Sequence, residues 1–385
     1  MFDFYVNTRI KFGCGARSFL NDILEKEQWD RVGVVLDHNL KDLSIIKDLL
    51  NSLKSTVKSW ALGECTVSEP TYDALENLRK SFSDPALQVI VGLGGGSALD
   101  MAKAMAVLVK NREPAIAYRG FDKMTEPVLP IIALPTTAGT GSEITPNASF
   151  IDLKEKRKMG INGEAVRPRY ALLDPEMTLS CPATPTVSAA ADSLVHAVEA
   201  FVAKKTNRMA RLFAQEGFRQ VCTHLPRLLQ NLGDISRREG VMYGAFLAGI
   251  ALMHSGTGPA AAMSYPLGVH YGVPHGLGGA FFLPQVVENN IRQGYWEYAN
   301  LNGPADASRP PDKEAGAQKF FENLADLLGQ IGIPKNLGFY GFDGSKAQTD
   351  AFVKETLDLK GALEQNPVPF GEAEIRGVIS KLSGT

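Results

Sequence analysis

The sequence predicts two domains: an α/β N-terminal dinucleotide-binding domain with a parallel, Rossmann-like sheet over residues 1–180, and an all-α C-terminal domain over 181–385. Three observations predict this. Short apolar β-rich runs alternate with helical patterns through the first half. Two of those runs open into loops crowded with glycine or small hydroxyl residues. After about residue 178 helical periodicity takes over. Length agrees, since 385 residues at roughly 100–200 per domain give about two domains.

The elements follow in order. RVGVVLD (31–37) reads as a buried strand and LSIIKDLLNSL (43–53) as the helix after it. VKSWALG (57–63) is the next strand. A helix then opens near Ser68–Pro70 and runs through YDALENLRKSF (72–82). QVIVGLGGG (88–96) is a third strand leading into SALDMAKAMAVLV (97–109), and VLPIIALPTT (128–137) is a fourth. Continuous apolar strands separated by helices fit a parallel sheet covered on both faces, the doubly wound arrangement. Helical stretches follow at 186–203, 207–231, 236–254, 257–267, 276–293 and 313–331, with more helix over 350–383. NGPADASRPPDK (302–313) reads as a polar, proline-rich loop.

Composition narrows the function. Hydrophobic residues make up 44% and charged residues 21%, as in an ordinary soluble globular protein. Lys plus Arg number 40 against 42 Asp plus Glu. That balance gives no electrostatic footprint for nucleic acid or another polyanion. Cys14, Cys65, Cys181 and Cys222 are scattered and form no CxxC pair, which argues against a disulfide framework and for a reducing, cytoplasmic setting. The start, MFDFYVNTRIKFG, lacks a basic stretch followed by an apolar core. No run approaches the roughly 18–20 apolar residues of a membrane span.

Two loops carry a cofactor signal. In VGLGGGSALDMAKA (91–104) a strand meets a helix through three adjacent glycines. Such a turn lets the backbone approach a ligand closely, and the free N–H groups and dipole of the helix start favour a phosphate. A tight turn with no ligand is the plainer reading. LPTTAGTGSE (134–143) follows another buried strand and brings Thr136, Thr137, Thr140 and Ser142, whose hydroxyls could line a cofactor cleft. Asp37 ends its strand. It either accepts the two hydroxyls of an adenine ribose, favouring NAD over NADP, or caps the turn that starts near Asn39.

The second domain carries a metal signal. Thr184 and Pro185 suggest a helix start, with Thr184 as cap. Within that helix, in ADSLVHAVEAF (191–201), Asp192 and His196 stand at i, i+4 and point the same way. Alone they could be a buried Asp–His hydrogen bond. Far along the chain, SYPLGVHYGVPHGLGGAFFLP (264–284) offers His275 at a new helix start and His270 five residues before it. One carboxylate and two imidazoles suit Fe²⁺ or Zn²⁺ with a position left for substrate.

GGGSALDMAKA, LPTTAGTGSE, DSLVHAVEAF and YPLGVHYGVPHG occur in the order that resembles an iron-containing, group III alcohol dehydrogenase, and the likeness spans nearly the whole chain. The resemblance implies a homo-oligomer, a dimer or larger, with its active site in a cleft between the two domains. It implies hydride transfer between NAD and an alcohol, polyol or sugar acid. It assigns Gly95, Gly96, Ser97 and Asp100 to the pyrophosphate loop and Thr136, Thr137, Thr140 and Ser142 to the second cofactor loop. Asp37 falls at the adenosine ribose, and Asn147 and Lys158 near the cofactor or the cleft. Asp192, His196 and His275 fall on three metal ligands. The usual fourth ligand, a histidine, is here Ala261, and a second family histidine beside the substrate is Tyr265. The departure leaves three outcomes open: three protein ligands plus water, recruitment of His270 or His254, or weak or absent metal as in the maleylacetate reductases. Tyr265 or water then stands as proton carrier, with His270 or His254 as relay. Arg157, Lys158, Arg167 and Arg169 are candidate cations for a substrate carboxylate, against a solvated turn in KEKRK. Oxidation of the terminal hydroxyl of a 3-deoxy-octulosonate and a dehydroquinate-synthase-like lyase are the alternative activities.

Overall fold

The structure is a computed structural model that describes residues 1–302 and 312–383. The loop expected at 302–313 lies almost wholly outside the described residues. The chain folds as two compact units, Tyr5–Cys181 and Pro182–Thr385, with Met1–Phe4 belonging to the second.

The first unit is built from β1 (Arg9–Phe12), α1 (Phe19–Glu27), β2 (Arg31–Asp37), α2 (Ser44–Thr56), β3 (Ser59–Cys65), α3 (Tyr72–Arg79), β4 (Val89–Gly94), α4 (Gly96–Leu108), β5 (Gly120–Phe121), β6 (Ile131–Pro135), β7 (Asn147–Asp152), β8 (Arg157–Asn162) and β9 (Tyr170–Leu173). Six strands form a parallel sheet in the order β1-β9-β6-β4-β2-β3. Side-chain alternation explains the unbroken apolar runs. Val32, Val34, Leu36, Val89, Val91 and Leu93 face the core under α1 and α2. Val35 and Ile90 face the opposite core, shared with α3 and α4. Each such side chain, fully buried, contributes roughly 1.5–3 kcal/mol.

The four expected strands and their helices are present with small shifts. The third helix opens at Thr71, whose Oγ1 accepts from Ala74 N at 3.0 Å, rather than at Ser68–Pro70. Two sheet strands and one helix have no counterpart in the sequence reading. β1, RIKF, is a mostly exposed edge strand, so its pattern is polar. β9 is only four residues long. A second sheet, β5-β8-β7, was also not anticipated. KEKRK spans its hairpin: residues 153–156 turn, and Arg157 and Lys158 begin β8.

The second unit is helical: α5 (Ala183–Val202), α6 (Arg208–Leu228), α7 (Ile235–Met253), α8 (Pro259–Tyr271), α9 (His275–Arg292), α10 (Lys313–Gln330), α11 (Lys346–Leu357), α12 (Lys360–Leu363) and α13 (Glu372–Ser383). Phe4 stacks on Phe213 and on the ring of His254. Thr184 does not cap α5. Pro182 is the cap and its carbonyl accepts from Thr186 N at 3.1 Å. Pro185 therefore sits inside the first turn, where no intrahelical N–H is needed. α8 continues past Pro266 and ends at Gly272, which is left-handed at φ 66°. No helix among the described residues is long and apolar enough to cross a membrane.

Candidate active site

In the first unit, β4 runs into α4 through a turn that only glycine allows. Gly94 has φ +153°, and a Cβ there would lie 2.7 Å from both Ala98 Cβ and Asp37 Cβ. The turn therefore sits directly against Asp37. α4 has no side-chain cap at Gly95, so its first-turn N–H groups remain for an anion. The hydroxyl loop after β6 packs on the same turn. Thr136 N donates to Gly94 O at 3.0 Å, Thr137 lies over Gly95, and Thr140 lies over Gly96. Ser97 Oγ donates to the Ser68 carbonyl. Asp37 accepts from the backbone and side-chain nitrogens of Asn39 through Oδ1, so the capping role is realised.

Asp100 acts as an internal strut. It accepts from Ser142 Oγ and from Ser149 N at 2.8 Å, tying α4 to the hydroxyl loop and to β7. Beside it lies a residue the sequence reading passed over. Lys103 is fully buried, donates to the carbonyl of Asn147 at 2.7 Å and lies 3.7 Å from Asp100 Oδ1. Burial lowers its pKa to about 8, against the pull of Asp100 and Glu143. The neighbouring Glu143 is also buried, and that burial raises its carboxyl. A lysine in the apolar run MAKAMAVL (101–108) of this helix was the available signal.

Lys158 lies on β8 with Nζ 2.7 Å from Glu69. Arg167 is held by Glu164 and the Ile144 carbonyl, and Arg169 pairs with Glu27 at 2.6 Å. These two arginines hold the fold together, which removes them as a ready carboxylate clamp.

The second unit gathers the metal candidates. α5 carries Asp192 and His196, both buried. α9 starts at His275, and Gly276 lets it press onto α5. A Cβ at Gly276 would lie 2.1 Å from Ser188 O and 2.7 Å from Asp192 Cβ. Asp192 Oδ1 lies 3.5 Å from His196 Nε2 and 3.9 Å from His275 Nε2. One donor atom from each of the three residues falls within 4.8 Å of the others. The distances from Asp192 are too long for hydrogen bonds and are close to the spacing of donors around a cation with bonds near 2.0–2.2 Å. His196 Nδ1 is buried with no hydrogen-bond partner among the described residues. The donor set and its spacing fit a divalent ion, with the His196 Nε2 that faces Asp192 as the imidazole donor; the orphaned Nδ1 is the other nitrogen of that ring.

α8 closes this cluster. Ala261 is buried and offers no ligand. The Tyr265 ring meets His275 edge-on, with centroids 5.1 Å apart. Ser264 Oγ lies 2.6 Å from His275 Nδ1. His270 is not brought here: its Nε2 is 2.8 Å from Glu355. Five residues along a helix turn a side chain well away from the face of Tyr265. His254 ends α7 against Phe4. His38 and His224 also lie elsewhere, against Glu64 and Arg237.

The sequence reading also missed Glu199, one turn beyond His196. It is buried and accepts from Gly258 N and Ala260 N at 2.7 Å and from Ala261 N at 3.4 Å, anchoring the start of α8. Burial pushes its carboxyl up to about 7 despite these bonds. A carboxylate in a buried helical stretch, in phase with Asp192 and His196, was its signal.

The glycine turn of the doubly wound unit and the carboxylate–imidazole cluster of the helical unit occur in a chain whose family match assigns it to the oxidoreductases that act on alcohols. Residues 7–175 match the family described as iron-containing alcohol dehydrogenase, and residues 186–383 match its C-terminal part. The chain is 30% identical over 374 residues to long-chain-alcohol dehydrogenase 1 of Geobacillus thermodenitrificans, covering 95% of this chain and 93% of that protein. Its fold matches a crystal structure of 1,3-propanediol oxidoreductase with TM-score 0.93 and 26% identity, over 99% of this chain and 100% of the other. It also matches sulfoacetaldehyde reductase from Bifidobacterium kashiwanohense in complex with NAD⁺, with TM-score 0.86 and 25% identity, over 100% and 99%. The chain belongs to the iron-containing alcohol dehydrogenase family.

Proposed function

We propose that the protein transfers a hydride between NAD(H) and the CH–OH or carbonyl carbon of an alcohol, polyol or sugar-acid substrate, with a divalent ion, Fe²⁺ or Zn²⁺, held by Asp192, His196 and His275. The observation that carries this reading is the convergence of these three side chains in a chain of this family. The ion supplies Lewis acidity at the substrate oxygen, which eases loss of the hydroxyl proton in oxidation and activates the carbonyl in reduction. The chain's own residues do the rest. Asp192 offsets the cation's charge, and the imidazoles leave room for a substrate oxygen because Ala261 adds no fourth ligand. Tyr265, packed on His275, carries the hydroxyl proton outward. His270 is dropped from the relay because Glu355 holds it.

On the α/β unit, the Gly95–Gly96–Ser97 turn and the α4 start receive the pyrophosphate. Thr136, Thr137, Thr140 and Ser142 line the dinucleotide, Asp100 keeps both loops in register, and Asn147 and Lys158 lie at the margin of this surface. Asp37 accepts the ribose hydroxyls and repels a 2′-phosphate. The NAD⁺ complex of the sulfoacetaldehyde reductase supports this cofactor. The names of the relatives, which act on a long-chain alcohol, 1,3-propanediol and sulfoacetaldehyde, support an alcohol or aldehyde carbon as the reacting centre. The same reading makes the protein a homodimer of the cytoplasm, which light scattering and cell fractionation test.

The test is a panel of alcohols, polyols, sugar acids and aldehydes followed by NADH absorbance, with metal-stripped protein and with Fe²⁺ or Zn²⁺ restored. Activity is expected only with metal, and His275→Ala is expected to lose both metal and turnover. Full turnover in the stripped enzyme would defeat the metal reading and favour a metal-independent reductase. A Tyr265→Phe enzyme with unaltered kcat and pH profile would remove Tyr265 from proton transfer.

A further inference from the structure

Ser264 sits on α8 one turn after Ala261 and is 1% exposed. Its Oγ is 2.6 Å from the Ala261 carbonyl and 2.6 Å from His275 Nδ1. A serine hydroxyl has one hydrogen, and a carbonyl only accepts. The hydrogen is therefore spent on Ala261 O, and toward His275 the same oxygen is an acceptor. A neutral His275 bonded to it must carry its proton on Nδ1. Nε2, which lies 3.9 Å from Asp192 Oδ1, then carries a lone pair and no proton. The assembly has little freedom to slide. Ser264 Cβ would lie 3.1 Å from a Cβ built on Gly278 of α9, and the Tyr265 ring stands at 86° to the His275 ring.

We propose that Ser264 is a positioning residue that fixes the tautomer and aim of His275, so that Nε2 is the nitrogen presented to a divalent cation. The inference rests on the metal reading above. It assigns to a neutral hydroxyl on α8 the orienting role that carboxylates and carbonyls play behind other metal-binding histidines. Ser264 touches neither substrate nor cofactor in this role; it acts through His275.

Two measurements on wild type and Ser264→Ala test it. The variant removes one oxygen and adds no volume, and its melting curve checks that it folds. The first measurement needs no metal. Imidazole ¹⁵N spectra of stripped, histidine-labelled protein are taken above the ordinary histidine pKa range, with His275 assigned by its loss in His275→Ala. Wild type is expected in the Nδ1–H form, and Ser264→Ala is expected to swing toward Nε2–H. The second is Zn²⁺ competition against a chelator, where the variant is expected to bind roughly 10–100-fold more weakly. A wild type already in the Nε2–H form, an unchanged tautomer in the variant, or unchanged Zn²⁺ affinity overturns the proposal. Wild-type protein that takes up no ion defeats the metal reading instead, and the metal-free spectra tell the two failures apart.

Discussion

Truncating Glu199 to alanine should loosen the start of α8. The carboxylate accepts two short backbone bonds, from Gly258 N and Ala260 N, and a longer one from Ala261 N. Hydrogen bonds to a charged group contribute a net of roughly 1.5–3 kcal/mol each, and a buried N–H left without an acceptor costs about 1–3 kcal/mol. Burial pushes this carboxyl up to about 7, so desolvation already offsets part of the gain at neutral pH. The loss therefore falls toward the lower end of the summed range, about 3 kcal/mol. Glu199→Gln keeps the volume and one acceptor but turns an amide donor toward a backbone donor, and should cost about 1 kcal/mol. For a unit of this size each kcal/mol moves Tm by about 2–4 °C. Glu199→Ala should then melt roughly 6–12 °C below wild type and Glu199→Gln in between, read by helical circular dichroism on metal-free protein at pH 7. A Glu199→Ala protein melting within 2 °C of wild type would refute the anchoring argument.

Gly94→Ala places a methyl where Ala98 and Asp37 already sit, at a φ of +153°. It should weaken NAD binding roughly tenfold or more, from about 1–3 kcal/mol of strain, while the ion content of the purified protein stays unchanged. Asp37→Ser should shift the kcat/KM ratio of NAD to NADP toward NADP by roughly tenfold or more, since the repelling carboxylate is gone; an unchanged ratio would leave Asp37 as a cap alone. Lys103 titrates near 8 in the folded protein against an ordinary 10.5. The folded state therefore gives up this proton first. The stability linked to the shift is fully present above 10.5 and lost as pH falls through 8, about 3 kcal/mol in all. Denaturant titrations of wild type and Lys103→Met should diverge over that window, and parallel curves would contradict the shift.

Much of the fold was readable because burial on both faces leaves an unmistakable trace. β2 between Arg31 and Asp37, β4 and β6 are apolar without interruption, and α5 through α10 show helical periodicity at nearly their observed bounds. The same logic explains the omissions. β1 is exposed on most of its length and β9 is four residues long, so neither offers a pattern to detect. β7 and β8 hide in a charged hairpin whose pairing is made by backbone bonds rather than by side-chain type. At the cluster, Asp192 and His196 were legible because helical geometry fixes their spacing, and His275 because it stood at a helix start. Its approach to them depends on Gly276 against Ser188 and Asp192, a contact between segments far apart in the chain.

Local order in the chain, meaning periodicity, turn chemistry and helix spacing, decided the two-domain plan, the glycine turn and the first two of the three clustered side chains, because those properties reach only a few residues along the backbone. Packing of distant segments decided the rest. It directed Ser264 to His275, turned Glu199 into the anchor of α8, drew His270 away to Glu355 and buried Lys103 against Asn147. Those partners lie from 11 to 85 positions apart in the sequence, and no local rule pairs residues across such distances.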